Sequence, residues 1–298
     1  MIRLGALILL LVVYQLWGTG IHTSEAQDRL RKQFEQEQAA LAQSAGIDPG
    51  ADAADTPSTL PIKVEKDLSL RVPKPGDPIG IIDIPRISSN FVFVEGVDLQ
   101  YLSEGPGHYP GTPLPGQEGN AAIAGHRTTH GAPFYYVDHL AVGDKIYVQT
   151  FAGKYTYVVY KTPFAVKPTA YYVVNNTKDA ELTLTSCNPR YSAAERIVIK
   201  ARLVREQSDK PHKPPTHING RRIKPPKASQ LSTALKGQAN SKKPTVLLGI
   251  LVAIVGLLWW WAFRRWRHPL TWLAGVVPFL IVLFPFYVYL ERALPNGY

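Results

Sequence analysis

Three long apolar runs divide the 298-residue chain into membrane-like and polar parts. They lie within 1–21, 245–263 and 270–290, and each is close to the roughly 20 residues that a helix needs to cross a bilayer. All six tryptophans lie in or beside these runs, as is typical of side chains at a membrane interface. The pattern predicts an N-terminal transmembrane anchor and two transmembrane helices near the C-terminus.

A cleaved signal peptide is the alternative interpretation of the first run. Ser24-Glu25-Ala26 loosely resembles a small-x-small cleavage site. The apolar run is longer than the roughly 7–15 residues of a typical signal-peptide core, which favours a retained anchor.

The loop at 264–269 sets the expected orientation in the cell membrane. It carries three arginines, and the positive-inside rule keeps such a short loop in the cytoplasm. With three spans, the N-terminus is then cytoplasmic, 22–244 faces outward, and the tail at 291–298 is also outside. The sequence therefore predicts a membrane protein with an extracellular middle segment.

Two polar segments flank the central part of the chain. In 22–78, residues 24–44 are rich in helix formers and predict a helical stalk, and the Pro, Gly, Asp and Ala that follow predict a flexible tether. The Pro-rich linker at 205–244 carries ten Lys or Arg against two acids, and is interpreted as a solvated spacer. Binding to anionic envelope polymers or lipid head groups is the alternative. Nucleic-acid binding is not expected, because no aromatic side chain lies between the basic ones.

The sequence pattern at 79–204 is typical of an all-β domain. Short β-prone runs are separated by Gly, Pro, Asn and Asp, which favours a sandwich or barrel of about eight strands. Short helices are predicted at 98–103 and 134–140. The predicted strands are 79–84, 91–94, 121–124, 145–151, 155–160, 164–166, 181–185 and 197–204.

Cys187 is the only cysteine, so the chain cannot form an internal disulfide. A buried structural thiol, an intermolecular bridge and a reactive nucleophile remain open. Cys187 ends an apolar run and is followed by Asn188-Pro189, which places it near a strand end. Arg190 and Arg196 follow closely, and nearby cations favour the reactive thiolate.

Cysteine catalysis also needs a general acid and base, usually a histidine. The β-rich segment contains His108, His126, His130 and His139. His126 ends the apolar run AAIAG and opens a turn, whereas His108 and His139 fit structural or surface positions. No two histidines flank Cys187 at metal-ligand spacing, so neither a metal nor another cofactor is implied.

Two separated motifs resemble those of the sortases, the cysteine transpeptidases of Gram-positive envelopes. The TLTSC run that ends at Cys187 is similar to the sortase signature TLxTC, with Arg196 nine residues later. The GNAAIAGHRTT run at 119–129 is similar to the strand and turn that carry the sortase histidine. The runs SCNPRYSAAERIVI and GHRTTHGAPF are most like those of class E sortases.

The resemblance implies a closed sortase-type β-barrel over 79–204 and assigns the catalytic roles by motif. Cys187 is then the nucleophile, His126 the acid and base, and Arg196 the electrophilic partner of the scissile carbonyl.

The resemblance also implies a substrate-binding set. Ser186 replaces the Thr of the signature and keeps its hydroxyl, and His130 lies where class E relatives tend to have a Tyr linked to recognition of an LAxTG-type motif. The set comprises Ser186, His130, Thr128 and Asn188.

The implied reaction cleaves a C-terminal LPxTG- or LAxTG-like sorting signal of a secreted protein between Thr and Gly. A thioacyl-enzyme forms, and an amine of a peptidoglycan precursor or of a pilin lysine resolves it. The expected partners are therefore secreted proteins with sorting signals, the amine acceptor and the membrane.

Three other interpretations stay open. An L,D-transpeptidase is expected to carry a Gly directly before its cysteine, where this chain has Ser186. A non-catalytic, membrane-anchored β-barrel that binds envelope peptides would keep Cys187 as a core residue. The C-terminal helices also fit a component of a larger membrane assembly.

Overall fold

The computed structural model describes Tyr14 and residues 18–44, 73–215, 217–218, 221–222, 242–265 and 269–293. These residues belong to two compact units, a barrel with the N-terminal helix and a C-terminal helical part. Most of the predicted anchor at 1–21, the tether between 45 and 72, much of the linker at 205–244 and the tail at 294–298 lie outside the described residues.

Eight strands close into a barrel, which confirms the predicted fold class. The order around the barrel is β1-β2-β3-β4-β7-β8-β6-β5, and β5 pairs with β1 to close it. Two pairs of neighbouring strands are parallel, β2 with β3 and β4 with β7. The strands are β1 (Pro78–Ile84), β2 (Ser89–Glu95), β3 (Gly107–His108), β4 (Asn120–Ala124), β5 (Lys145–Thr150), β6 (Gly153–Val166), β7 (Glu181–Asn188) and β8 (Glu195–Leu203). A separate two-stranded sheet pairs β9 (His217–Ile218) with β10 (Arg221–Arg222).

Large apolar side chains from most of the strands fill the barrel. Ile82, Phe93, Ile123, Leu182 and Ile199 come from five different strands, and all are fully buried in one cluster. Their β-branched and aromatic character suits a pleated surface packed on one face. An eight-stranded barrel is just narrow enough for such side chains to fill it.

The structure differs from the sequence prediction in three elements. The strands predicted at 155–160 and 164–166 form one strand, β6, whose register against β8 shifts near Lys161, as β-bulges do. β3 has only two residues and gives no periodic signal. The helix predicted at 134–140 is a single 3-10 turn at Val137–His139. The helix predicted at 98–103 is present as α2 (Leu99–Leu102).

The predicted stalk is a helix, α1 (Thr19–Ser44), that lies against the barrel. Its buried positions follow helical spacing and form one narrow stripe, Thr19, Thr23, Ala26, Leu30 and Phe34. Only two of these side chains are large and apolar, so the pattern looked polar throughout.

Side chains of α1 contact β2 and the end of β5. Leu30 packs with Val92 and Val94, and the ring centroids of Phe34 and Phe151 are 4.5 Å apart. The Gln27 amide donates to the carbonyl oxygen of Val92 (2.9 Å) and accepts from the Val92 N–H (2.7 Å). The side chain therefore pairs with β2 as a further strand would.

The C-terminal unit pairs two helices, α3 (Lys242–Arg265) and α4 (Pro269–Ala293). Among the described residues, one helix, at Pro244–Ala262, is long and apolar enough to cross a membrane. The described apolar stretch of α4, Gly275–Tyr287, is shorter. The first of the two predicted C-terminal spans thus meets this criterion, and the second is a helix with a shorter apolar stretch.

We expect Phe34→Ala to lower the free energy of unfolding of the fragment Gln15–Lys236 by about 3 kcal/mol, because it removes a buried ring and leaves a cavity against Phe151. Urea unfolding followed by circular dichroism measures this change. Lys32→Ala, on the exposed side of α1, is the matched control and should change stability by less than about 0.5 kcal/mol. Equal stability of both variants would show that α1 does not pack on the barrel in solution.

Candidate active site

Parallel pairing of β4 with β7 brings two predicted catalytic residues together. Ala124 lies opposite Thr185, and the Gly125 N–H donates to the Thr185 carbonyl oxygen at 3.1 Å. Continuing this register by two residues places His126 beside Cys187. The two strands are far apart in sequence, so only this pairing makes them neighbours.

Arg196 joins the same end of the barrel from β8. It lies directly opposite Cys187 in the antiparallel β7–β8 ladder, where paired residues project from the same face. Arg196 is 4% exposed, and its Nη1 donates to the carbonyl oxygens of Ala193 (3.1 Å) and Glu195 (2.9 Å). The order β4-β7-β8 therefore places Cys187 and Arg196 side by side, with His126 in the turn directly after β4.

The Cys187 thiol is buried at the edge of an apolar cluster, with 5% of the residue exposed. Burial raises the pKa of the thiol to about 11, although the charges of Arg196 and Arg127 act in the opposite direction. The resting thiol is therefore neutral at pH 7. The other buried members of the cluster are Val97, Leu99, Leu102, Tyr109, Ala122, Val173, Val174 and Val198.

His126 is also buried, with 6% of the residue exposed. Its Nδ1 lies 3.2 Å from Thr129 Oγ1, and its ring centroid lies 4.6 Å from that of His130. Burial and, to a lesser degree, the neighbouring His130 hold the pKa of His126 well below its ordinary value. The imidazole is therefore neutral at pH 7, and it can accept a proton.

Two of the residues assigned to substrate binding interact with neighbouring parts of the site. The buried Ser186 hydroxyl donates to the Gly125 carbonyl oxygen at 2.8 Å, so it links β7 to the turn that carries the histidine. Asn188 Nδ2 donates to Glu195 at 2.9 Å, which joins the ends of β7 and β8.

The other two residues assigned to substrate binding, Thr128 and His130, lie in the loop that follows β4 and carries His126, which we call the histidine loop. Thr128 is half-buried. The buried His130 has a positive φ of 52°, and its backbone N–H donates to Thr19 Oγ1 of α1 at 3.2 Å. The N-terminal helix thus contacts the loop that carries His126.

Sequence reasoning missed two buried residues beside the thiol. Tyr109 donates to or accepts from Thr185 Oγ1 at 2.9 Å, and burial raises the pKa of its hydroxyl to about 12. Arg127 directly follows His126, and its Nη1 donates to the Cys187 carbonyl oxygen at 3.1 Å. The position of Arg127 within GHRTT was the available signal, but its partners are distant in sequence.

Within the ranges that the structure describes, no three His, Cys, Asp or Glu side chains are grouped as ligands for a metal ion.

The chain is similar to known proteins of one family. The family model of the sortase domain matches residues 82–204. The chain is 30% identical over 237 residues to sortase SrtE2 of Streptomyces coelicolor, which covers 73% of this chain and 85% of that protein. It is 27% identical over 228 residues to sortase SrtE1 of the same organism, which covers 72% of this chain and 58% of that protein.

Among solved structures, sortase E of Streptomyces avermitilis is 31% identical, with 46% of this chain and 92% of that chain covered at a TM-score of 0.40. The match to SrtE2 is longer than the sortase domain and so includes flanking residues. The chain therefore belongs to the sortase family of cysteine transpeptidases and is most like the class E sortases.

Proposed function

We propose that this sortase cleaves an LAxTG- or LPxTG-like sorting signal between Thr and Gly and transfers the new acyl group to an amine. The acceptor is an amine of a peptidoglycan precursor or of a pilin lysine. The observation that supports the proposal is the pairing of Cys187 on β7 with Arg196 on β8, next to β4, whose C-terminal turn carries His126.

In the first half-reaction the Cys187 sulfur attacks the carbonyl carbon of the substrate Thr. The thiol proton passes to His126, which then gives it to the nitrogen of the departing Gly as the C–N bond breaks. Arg196 remains charged and donates hydrogen bonds to the oxyanion that forms on the carbonyl oxygen. The products are a thioester on Cys187 and a peptide with a free amino terminus.

In the second half-reaction the acceptor amine attacks the thioester carbonyl. His126 takes a proton from that amine, the C–S bond breaks, and the proton returns to the Cys187 sulfur. An amide bond replaces the one that was cleaved, so the transfer needs no external energy source. Water in place of the amine gives hydrolysis as a side reaction.

Burial of both groups favours their neutral forms in the resting site. A thiol with a pKa of about 11 is ionised in roughly one molecule in 10⁴ at pH 7. The lowered pKa of His126 likewise disfavours the imidazolium. The reactive thiolate and imidazolium pair is then a minor state that the charge of Arg196 stabilises beside the substrate.

The apolar cluster around Cys187 supports a peptide substrate with a hydrophobic anchor. Val173 and Val174 end a 3-10 turn, Tyr171–Val174, and pack in the same cluster as the thiol. The Leu of a sorting signal would pack against the half-buried side chains at the edge of this cluster, which include Phe164 and Tyr171. We assign His130, whose ring lies beside that of His126, to recognition of the residue that follows that Leu, and we assign Thr128 and Asn188 to the same substrate-binding set.

We further propose that the chain is held in the cell membrane with its barrel outside, its N-terminus in the cytoplasm and its C-terminus outside. The apolar helix at Pro244–Ala262 and the arginines at the end of α3 support this orientation.

A peptide-binding barrel without catalysis is the second candidate function. The burial of Cys187 favours it, because structural cysteines are commonly buried and inert.

Cys187→Ala should abolish both the thioester and the transfer product when the full chain, in detergent, is incubated with LAxTG and LPxTG peptides and an amine. Mass spectrometry detects the adduct and the product.

Arg196→Ala should lower kcat by roughly 10²–10³-fold, since it removes the donor to the oxyanion. Arg202→Ala, on the same strand and with a side chain that is 54% exposed, is the matched control and should keep wild-type kcat. A folded wild type that forms no adduct with either peptide would support the binding module.

Alkylation of Cys187 by iodoacetamide should become about tenfold faster for each pH unit between 7 and 10, because only the thiolate reacts and the pKa of the thiol lies near 11. Mass spectrometry of samples quenched at successive times gives the rates. The same protein in guanidinium chloride should show a midpoint near the ordinary thiol value of 9.0, which serves as the reference. A midpoint below that reference in the folded protein would contradict the effect of burial.

A further inference from the structure

We propose that Arg127 is a positioning residue of the transpeptidase site: its buried guanidinium holds the backbone of Cys187 in place beside His126, and its charge favours the thiolate. The inference rests on the proposed function and adds a residue to its machinery. Arg127 is 2% exposed, and an arginine is seldom buried to this degree unless its guanidinium is paired.

The guanidinium of Arg127 joins three parts of the chain. Nη1 donates to the Cys187 carbonyl oxygen at 3.1 Å, and Nε donates to the Tyr135 carbonyl oxygen at 2.8 Å. Nη2 forms an ion pair with Asp138 at 2.8 Å. The planar fork of arginine can reach three acceptors in fixed directions, which the point charge of a lysine cannot.

These contacts connect the nucleophile to the histidine loop. Arg127 directly follows His126, and the His126 carbonyl oxygen accepts from the Phe134 N–H at 3.1 Å, so both residues are fixed to the same loop. Ser186, the residue before Cys187, donates a hydrogen bond to the Gly125 carbonyl oxygen. The two side-chain bonds, from Ser186 and from Arg127, thus cross between the strand of Cys187 and the loop of His126 in opposite directions.

The charge of the Arg127 guanidinium also lowers the pKa of the Cys187 thiol. The charged or titratable side chains around Cys187 include Arg196 of β8, Arg127 and His126 in the turn after β4, and Tyr109 after β3. Both arginines lower the pKa of Cys187 against the effect of burial. Because a buried site screens charge weakly, each arginine has a larger effect there than it would have in water.

Asp138 and Arg190 complete the support for Arg127. Asp138 also accepts from Arg190 Nη2 at 3.0 Å, and Arg190 Nε donates to the Tyr135 carbonyl oxygen at 3.2 Å. Arg190 therefore shares two partners with Arg127, whereas the hydrogen bond to the Cys187 carbonyl oxygen comes from Arg127. This difference provides a close comparison for mutagenesis.

The test compares the full-length wild type in detergent with Arg127→Gln, Arg127→Lys, Asp138→Asn and Arg190→Gln. Two quantities are measured: the pH midpoint of Cys187 alkylation, and kcat and KM for transfer of a sorting peptide. Arg202→Gln, an exposed change on β8, is the neutral control. Melting temperature is recorded for every variant, and all assays are run below the lowest one.

We expect Arg127→Gln to lower kcat by about 100-fold, the loss that a displacement near 1 Å produces, with KM within about twofold of wild type. The alkylation midpoint should move to higher pH by about one pH unit, because one cation is lost. Arg127→Lys should keep the alkylation midpoint and still lower kcat, because it retains the charge without the fork. Asp138→Asn should follow the same direction with a smaller loss than Arg127→Gln, and Arg190→Gln should show a smaller loss of kcat than either.

A purely structural role for Arg127 predicts a lower melting temperature with wild-type kcat and alkylation midpoint at the assay temperature, and that result would overturn the proposal. If Arg127→Gln does not fold, wild-type kcat in both Arg127→Lys and Asp138→Asn would overturn it equally. If the wild type alkylates but transfers no peptide, the proposed function fails, and the alkylation midpoints alone then decide whether Arg127 acts on the thiol.

Discussion

The parallel pairing of β4 with β7 is the constraint on which the site depends. It joins strands that lie about 60 residues apart and brings the turn after β4, which carries His126, to the end of β7, which carries Cys187. A slip of one residue would turn each side chain to the opposite face of the sheet and separate the two groups. The hydrogen bonds from Ser186 to Gly125 and from Arg127 to the Cys187 carbonyl hold this register at its open end. The β7–β8 ladder then adds Arg196 to the same face.

Burial gives the site its electrostatic character. The loss of solvent raises the pKa of Cys187 and lowers that of His126. It also strengthens the electrostatic interaction of both groups with every nearby charge. Two buried arginines, Arg127 and Arg196, therefore offset part of the desolvation that the thiolate suffers. A solvent-exposed cysteine would ionise more readily, but it would gain much less from either arginine and would react without selection.

The N-terminal helix belongs to the same folded unit as the barrel and reaches the histidine loop. Thr19 Oγ1 accepts from the His130 N–H, and Thr23 Oγ1 donates to the Ser103 carbonyl oxygen at 2.8 Å. Further along α1, Gln27, Leu30 and Phe34 fix the helix to the strands. The packing of α1 therefore supports both the barrel and the loop that carries His126.

The sequence by itself determined the elements whose signal is local. Alternating apolar residues and turn residues predicted most of the barrel strands, and two short motifs singled out His126, Cys187 and Arg196 as candidates. Tertiary structure alone decided the rest, because those features depend on partners that are distant along the chain. The docking of α1 relies on Thr19, Thr23 and Ala26, whose small side chains give no apolar stripe. The role of Arg127 depends on acceptors at Tyr135, Asp138 and Cys187, and the shifted pKa values depend on burial that no local pattern encodes.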